Sequence, residues 1–87
     1  MISIPPLRVH WDLDDDPNGN VWHIAEHGIT KDEVEEVLME PECVDVSRSS
    51  GRRIAIGEAA GGRVLLVVFE DIDECTVYPV TAYEIEG

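Results

Sequence analysis

Apolar positions recur along the chain in two rhythms, and the change of rhythm divides it into elements. From Leu7 to Asp12 the residues alternate, with Val9 and Trp11 set against Arg8, His10 and Asp12. A period of two predicts a short strand. Asp14-Asp15-Asp16-Pro17-Asn18-Gly19 then reads as a turn, since Pro and Gly punctuate it and Asp and Asn side chains bond their own backbone. Asn20 is placed to cap a short helix from Val21 to His27. Val21, Ile24, Ala25 and Gly28 share one side of it, and His23 and His27 lie one turn apart on the other. Gly28 stops the helix, because a residue without Cβ accepts the left-handed conformation.

Thr30-Lys31-Asp32-Glu33 is a capping box, in which a hydroxyl and a carboxylate satisfy backbone donors reciprocally. It opens a second helix with Val34, Val37 and Leu38 as the buried stripe and Met39 at its flank. Pro41 ends this helix, since the residue before a proline avoids helical angles. Everything afterwards alternates or is apolar. Val44 and Val46 begin a strand, Ser49-Ser50-Gly51 turns it, and Arg53 to Gly57 returns. Arg63 to Glu70 is apolar on both parities, the pattern of a central strand covered on both faces. Thr76 to Ile85 forms the last strand, in which Pro79 predicts an edge or a bulge. The order is β-α-α-β-β-β-β. Short connections favour an antiparallel meander. The expected fold class is α+β, with two short helices on one face of a four- to five-stranded antiparallel sheet. Residues 1–87 make one domain, with residues 1–6 a flexible leading segment.

Size narrows the choice further. A chain of 87 residues builds one small core and buries about 60–65% of its unfolded surface. The longest apolar run, Val64 to Phe69, is far below the ~20 residues a spanning helix needs. The N-terminus lacks a signal-peptide pattern, so a cytoplasmic location and no membrane partner are expected. Nineteen acidic residues against six basic ones give a net charge of −13. Such a chain repels phosphate backbones on average, which disfavours direct DNA binding and leaves RNA contact to a local basic patch. Cys43 and Cys75 lack CxxC spacing and are expected as free, partly buried thiols.

Several groups invite chemistry, each beside a plainer reading. His23 and His27 at i, i+4 can ligate a metal, but Ile24 stands where the zinc-protease pattern needs Glu. Exposed or site-lining histidines without metal are the commoner outcome. The Asp14–Asn20 loop starts like a calcium loop, yet Ala25 occupies the place of the closing Glu, so an acidic turn is the expectation. No metal or other cofactor is therefore expected. Arg48, Arg52, Arg53 and Arg63 are the residues from which a phosphate-binding patch could be built, by bidentate guanidinium forks. The competing reading is that surplus carboxylates pair with them. Tyr78 and Tyr83 are either half-buried sheet aromatics or proton-transfer and stacking groups.

Order and spacing of short pieces then point to a family. Trp11-Asp12, Asn20, His27-Gly28-Ile29, Glu33 to Leu38 with Pro41, Ile54 to Gly57, Gly62 to Leu65 and Thr81-Ala82 run in sequence from about Val9 to Tyr83. Together they resemble the BrnT family of bacterial toxins, which share the fold of RelE-type ribonucleases. The resemblance implies two helices on an antiparallel sheet, an RNA substrate, metal-independent cleavage through the ribose 2′-hydroxyl, and a cognate antitoxin with a DNA-binding segment. It implies His27 as acid or base, Tyr83 as a proton-transfer or stacking group, and Arg52, Arg53 and Arg63 as phosphate binders. The chain departs from the family at Glu26, where a basic residue is usual, at Tyr83 and Glu84, where arginines are usual, and in its acidity. Those departures motivate an alternative: a non-catalytic module on the same scaffold, binding a basic or DNA-binding partner or pairing with itself along an edge strand.

Overall fold

The computed structural model describes residues 8–47 and 51–85. The expected flexible segment 1–6, residue Leu7 of the first strand and Arg48 at the hairpin tip lie outside those residues. The elements are β1 (Arg8–Val9), α1 (Asn20–Glu26), α2 (Lys31–Met39), β2 (Cys43–Val46), β3 (Arg53–Glu58), β4 (Val64–Asp71) and β5 (Thr76–Glu84). The α+β class and the element order agree with the alternation in the sequence.

The sheet is mixed rather than wholly antiparallel. Its strand order is β1-β5-β4-β3-β2. The strands β2 to β5 form the expected meander, but β1 runs parallel to β5, with Arg8 opposite Thr76 and Val9 opposite Val77. Parallel neighbours need a long connection, and the chain from β1 through both helices and three strands supplies one. Hairpin length informs on consecutive strands only, so it carries nothing about this pairing. β1 is also shorter than expected. Its ladder stops because the His10 carbonyl accepts from Asn20 Nδ2 (2.9 Å) and the Asp12 N–H donates to Asn20 Oδ1 (2.9 Å).

That Asn20 is not the cap of α1. Gly19 is, with no side-chain cap bond, and Asn20 is fully buried in the first turn. Gly19 is held by close approach: a Cβ there would meet Asp12 Cβ at 2.7 Å. Ile24 is buried as expected, whereas Ala25 is exposed. In α2 the capping box is present in full, with Glu33 N–H donating to Thr30 Oγ1 and Thr30 N–H to Glu33 Oε1. Met39 at the end of α2 is exposed.

Both helices lie on one face of the sheet. Ile24, Ile29, Val34, Val37 and Leu38 meet Ala55, Leu65, Val67, Phe69, Val77 and Ala82 in a single core. The second apolar row of β4, Val64, Leu66 and Val68, faces away and stays half-buried. The expectation of cover on both faces is therefore corrected: neighbouring strands shield that row laterally, and no described element lies over it. Pro79 sits at an irregularity in the β4–β5 ladder, where Thr81 opposes Val68 and Pro79 opposes Phe69. The bulge lets a residue without N–H occupy an interior strand.

Candidate functional site

One end of the molecule gathers three of the five candidate residues. Gly28, at φ +74°, ends α1 and turns the chain toward α2. Arg63, just before β4, donates from Nη1 to the Gly28 carbonyl (3.2 Å) and to Glu33 Oε2 (3.2 Å). Its buried Nε lies 3.5 Å from Glu84 Oε1. The His27 and Tyr83 rings tilt against each other with centroids 6.0 Å apart. His27, Tyr83 and Arg63 thus share a corner made by the end of α1, the start of β4 and the end of β5. It is a cationic group held between two carboxylates beside an exposed imidazole and an exposed phenol.

Arg52 and Arg53 are elsewhere, which corrects the expectation of one arginine patch. Arg53 opposes Phe69 in the ladder, six positions along β4 from Arg63, roughly 20 Å at ~3.3 Å per residue. Arg53 bonds Asp71 bidentately from Nη1 (2.9 and 2.8 Å) and places its guanidinium 5.1 Å from the Phe69 ring centroid. Arg52 Nε donates to Glu70 Oε2 (2.7 Å). A single scissile phosphate spans a few ångströms, so these two arginines cannot clamp one held at His27. Position along the chain gives no hint of the split, because it arises from antiparallel pairing of β3 with β4.

Tyr78 has a partner the sequence hid. Its hydroxyl donates to Asp12 Oδ2 at 2.6 Å, across 66 positions of chain. The same oxygen accepts from Asn20 N–H (3.0 Å), and His10 lies 3.9 Å from the other. The Tyr78 hydrogen bond, and then that of Asn20, hold the Asp12 carboxyl below its usual range. The reciprocal bond to Asp12, with desolvation and the Asp12 charge, pushes Tyr78 up to about 12. Tyr78 is thus a neutral donor at physiological pH that ties β5 to the β1–α1 connection. It does not join His27.

The Asp14–Asn20 loop is used internally. The Asp14 carbonyl accepts from Trp22 Nε1 (2.7 Å), its carboxylate from Lys31 Nζ (3.1 Å), and Asp16 from Asn18 N–H (3.0 Å). Among the described residues no group of three or more His, Cys, Asp or Glu side chains converges as a metal site. Cys43 and Cys75 are free thiols, Cys43 exposed and Cys75 half-buried. Among the described residues no helix is long and apolar enough to cross a membrane.

An open groove of about 730 Å³ lies between α2 and the β3–β4 turn. Asp32, Glu35, Glu36, Glu40, Glu42 and Glu58 line it with Met39 and Ala60. Two carboxylates have fixed roles: Glu35 accepts from Trp11 Nε1 (2.8 Å), and Glu36 from Ala60 N–H (2.9 Å). Taken singly, none of these carboxylates marks a groove in the sequence. Their signal was present, since Asp32, Glu35, Glu36 and Glu40 recur at three- and four-residue spacing and so lie along one stripe of a helix. What it lacked was Glu42 and Glu58, which the turn into β2 and the end of β3 bring to that stripe.

Comparison of the chain with protein-family models, curated proteins and solved structures finds no match.

Proposed function

We propose that the protein is the acidic member of a pair of toxin–antitoxin type, acting chiefly as a binding module for a basic partner segment. One contrast carries this reading: Arg52, Arg53 and Arg63 are each engaged by carboxylates, while among the described residues the groove beside α2 is lined by six carboxylates and no cation. A surface of that sign attracts Lys- and Arg-rich chain and repels RNA. The resemblance noted above supplies a partner of this kind, an antitoxin. Fluorescence anisotropy with a Lys-rich peptide at ~50 mM and ~500 mM salt tests it. Binding should weaken at least tenfold at the higher salt and tenfold in a Glu35→Gln/Glu36→Gln/Glu40→Gln variant. A variant that binds as tightly as the parent defeats the proposal.

A second reading, a metal-independent endoribonuclease, is favoured by the shared corner of His27, Arg63 and Tyr83. There His27 would move a proton to or from the ribose 2′-hydroxyl or the leaving oxygen, and Arg63 would steady the phosphorane charge. Glu33 and Glu84 oppose it, since a phosphate must displace them from Arg63. Cleavage of total RNA by the protein, abolished in His27→Ala, would promote this reading over the first. RNA left intact by both proteins rules it out.

A further inference from the structure

The acidic groove includes Glu42, which directly precedes β2 at the edge of the sheet. Among the described residues β2 is the last strand and pairs with β3 alone, and all four of its residues are exposed. Ser47 N–H donates to the Arg52 carbonyl (2.7 Å). By the alternation of an antiparallel ladder, Cys43 and Asp45 therefore turn their main-chain groups toward β3, and Val44 and Val46 turn theirs toward the open edge. The Val46 N–H is occupied by Asp45 Oδ1 (2.7 Å). Val44 is thus the residue that offers the edge both a donor and an acceptor.

On the helix side of this edge lies a cleft of about 220 Å³ lined by Leu38, Pro41, Val44, Ala55, Phe69 and Val77. The Val44 side chain, 45% exposed, stands at its outer wall. Arg53 and Asp71 also line the cleft but neutralise each other, and Glu74 leaves the lining net negative. In the other direction along the edge, β2 is preceded by Glu42, which belongs to the acidic groove.

We propose that β2 receives an extended segment of a partner chain, with alternating apolar and basic residues, as a sixth strand. This rests on the acidic-groove reading and adds the form of the partner. The segment would exchange main-chain hydrogen bonds with Val44. Its residue opposite Val44 would place an apolar side chain on the helix side, with its Cβ about 5 Å from that of Val44 and at the mouth of the cleft. Its continuation past Glu42 would carry lysines or arginines into the groove. Charge selects this occupant over a second copy of the chain, since two edges each bearing Asp45 and Glu42 on bodies of net charge −13 repel.

The test uses the full chain and two synthetic peptides of equal charge. One is a nine-residue peptide alternating Lys and Val. The other is the same peptide N-methylated at alternate backbone nitrogens, so that one edge cannot donate. Anisotropy titrations should show the first binding at least tenfold tighter than the second, and hydrogen exchange at the Val44 amide should slow at least tenfold on binding. Val44→Pro, which removes an N–H that faces the open edge rather than β3, should lose that preference, while Val44→Thr should retain it. Equal binding of both peptides overturns the sixth strand and leaves the acidic groove standing. Preferential binding without protection at Val44 also overturns it, and so does a dimer that hides this amide in the free protein. Failure of both peptides to bind overturns the groove reading as well.

Discussion

Two polar clusters with similar ingredients behave differently in this fold. The junction of His10, Asp12, Asn20 and Tyr78 and the corner of His27, Glu33, Arg63 and Tyr83 each combine an imidazole, a carboxylate and a phenol. In the first, Asn20 is fully buried, and its side chain saturates two main-chain groups of the segment leading out of β1. In the second, His27 and Tyr83 are exposed and Arg63 answers two carboxylates near solvent. Burial decides the difference. Removing one partner of a buried hydrogen bond leaves the other unpaired and out of reach of water, whereas the partners of an exposed ion pair rehydrate. The first cluster ties distant segments of the chain together; the second leaves its imidazole and phenol exposed.

The contrast breaks most visibly at Asn20. Asn20→Ala leaves the Asp12 N–H and His10 carbonyl without the partners that closed β1, and the expected loss is about 2–4 kcal/mol from chemical denaturation, at ~1–2 kcal/mol per orphaned group. A loss below ~1 kcal/mol would erase the distinction between the clusters.

Tyr78→Phe should cost less, about 1–2 kcal/mol at neutral pH, since it removes one charge-assisted bond. Its sharper signature is in the pH dependence. Tyr78 is raised to about 12, so its contribution is complete below the ordinary phenol value of ~10 and disappears as pH climbs from there toward 12. Asp12 is depressed, so its contribution is complete above the ordinary carboxylate value of ~4 and disappears as pH falls through its folded value. Denaturation midpoints across pH should therefore fall at both extremes, and Tyr78→Phe should flatten the alkaline limb.

The smallest effect belongs to the corner. Arg63→Ala should change stability by less than ~1 kcal/mol, because its ion pairs with Glu33 and Glu84 are partly exposed. A drop of several kcal/mol would make Arg63 a structural residue like Asn20 and remove it from any binding role.

Legibility followed the range of each interaction. The capping box of α2 and its stop before Pro41 were readable because the interacting residues lie within four positions. The existence of β3, β4 and β5 was readable from their β-branched runs between turns, but the one-sided burial of β4 was not, because its sequence is apolar on both parities. Proline's missing donor marked Pro79 as an edge or a bulge, and only the register chose the bulge. The Asp12–Tyr78 bond was not readable, since its partners are 66 positions apart and neither is unusual alone. Nor was the separation of Arg53 from Arg63, where ten positions of chain made them look adjacent while a hairpin set them at opposite ends of β4.

The sequence by itself determined which segments are helix and which are strand, the acidity of the chain, and the apolar stripe of α2. These depend on local sterics, hydrophobic period and charge count, which are properties of short stretches or of sums. Tertiary structure alone decided that β1 joins β5 in parallel, that Asn20 is a buried tie rather than a cap, and that the candidate cations divide between two ends. Those outcomes depend on which distant groups meet and on which of them lose water in doing so.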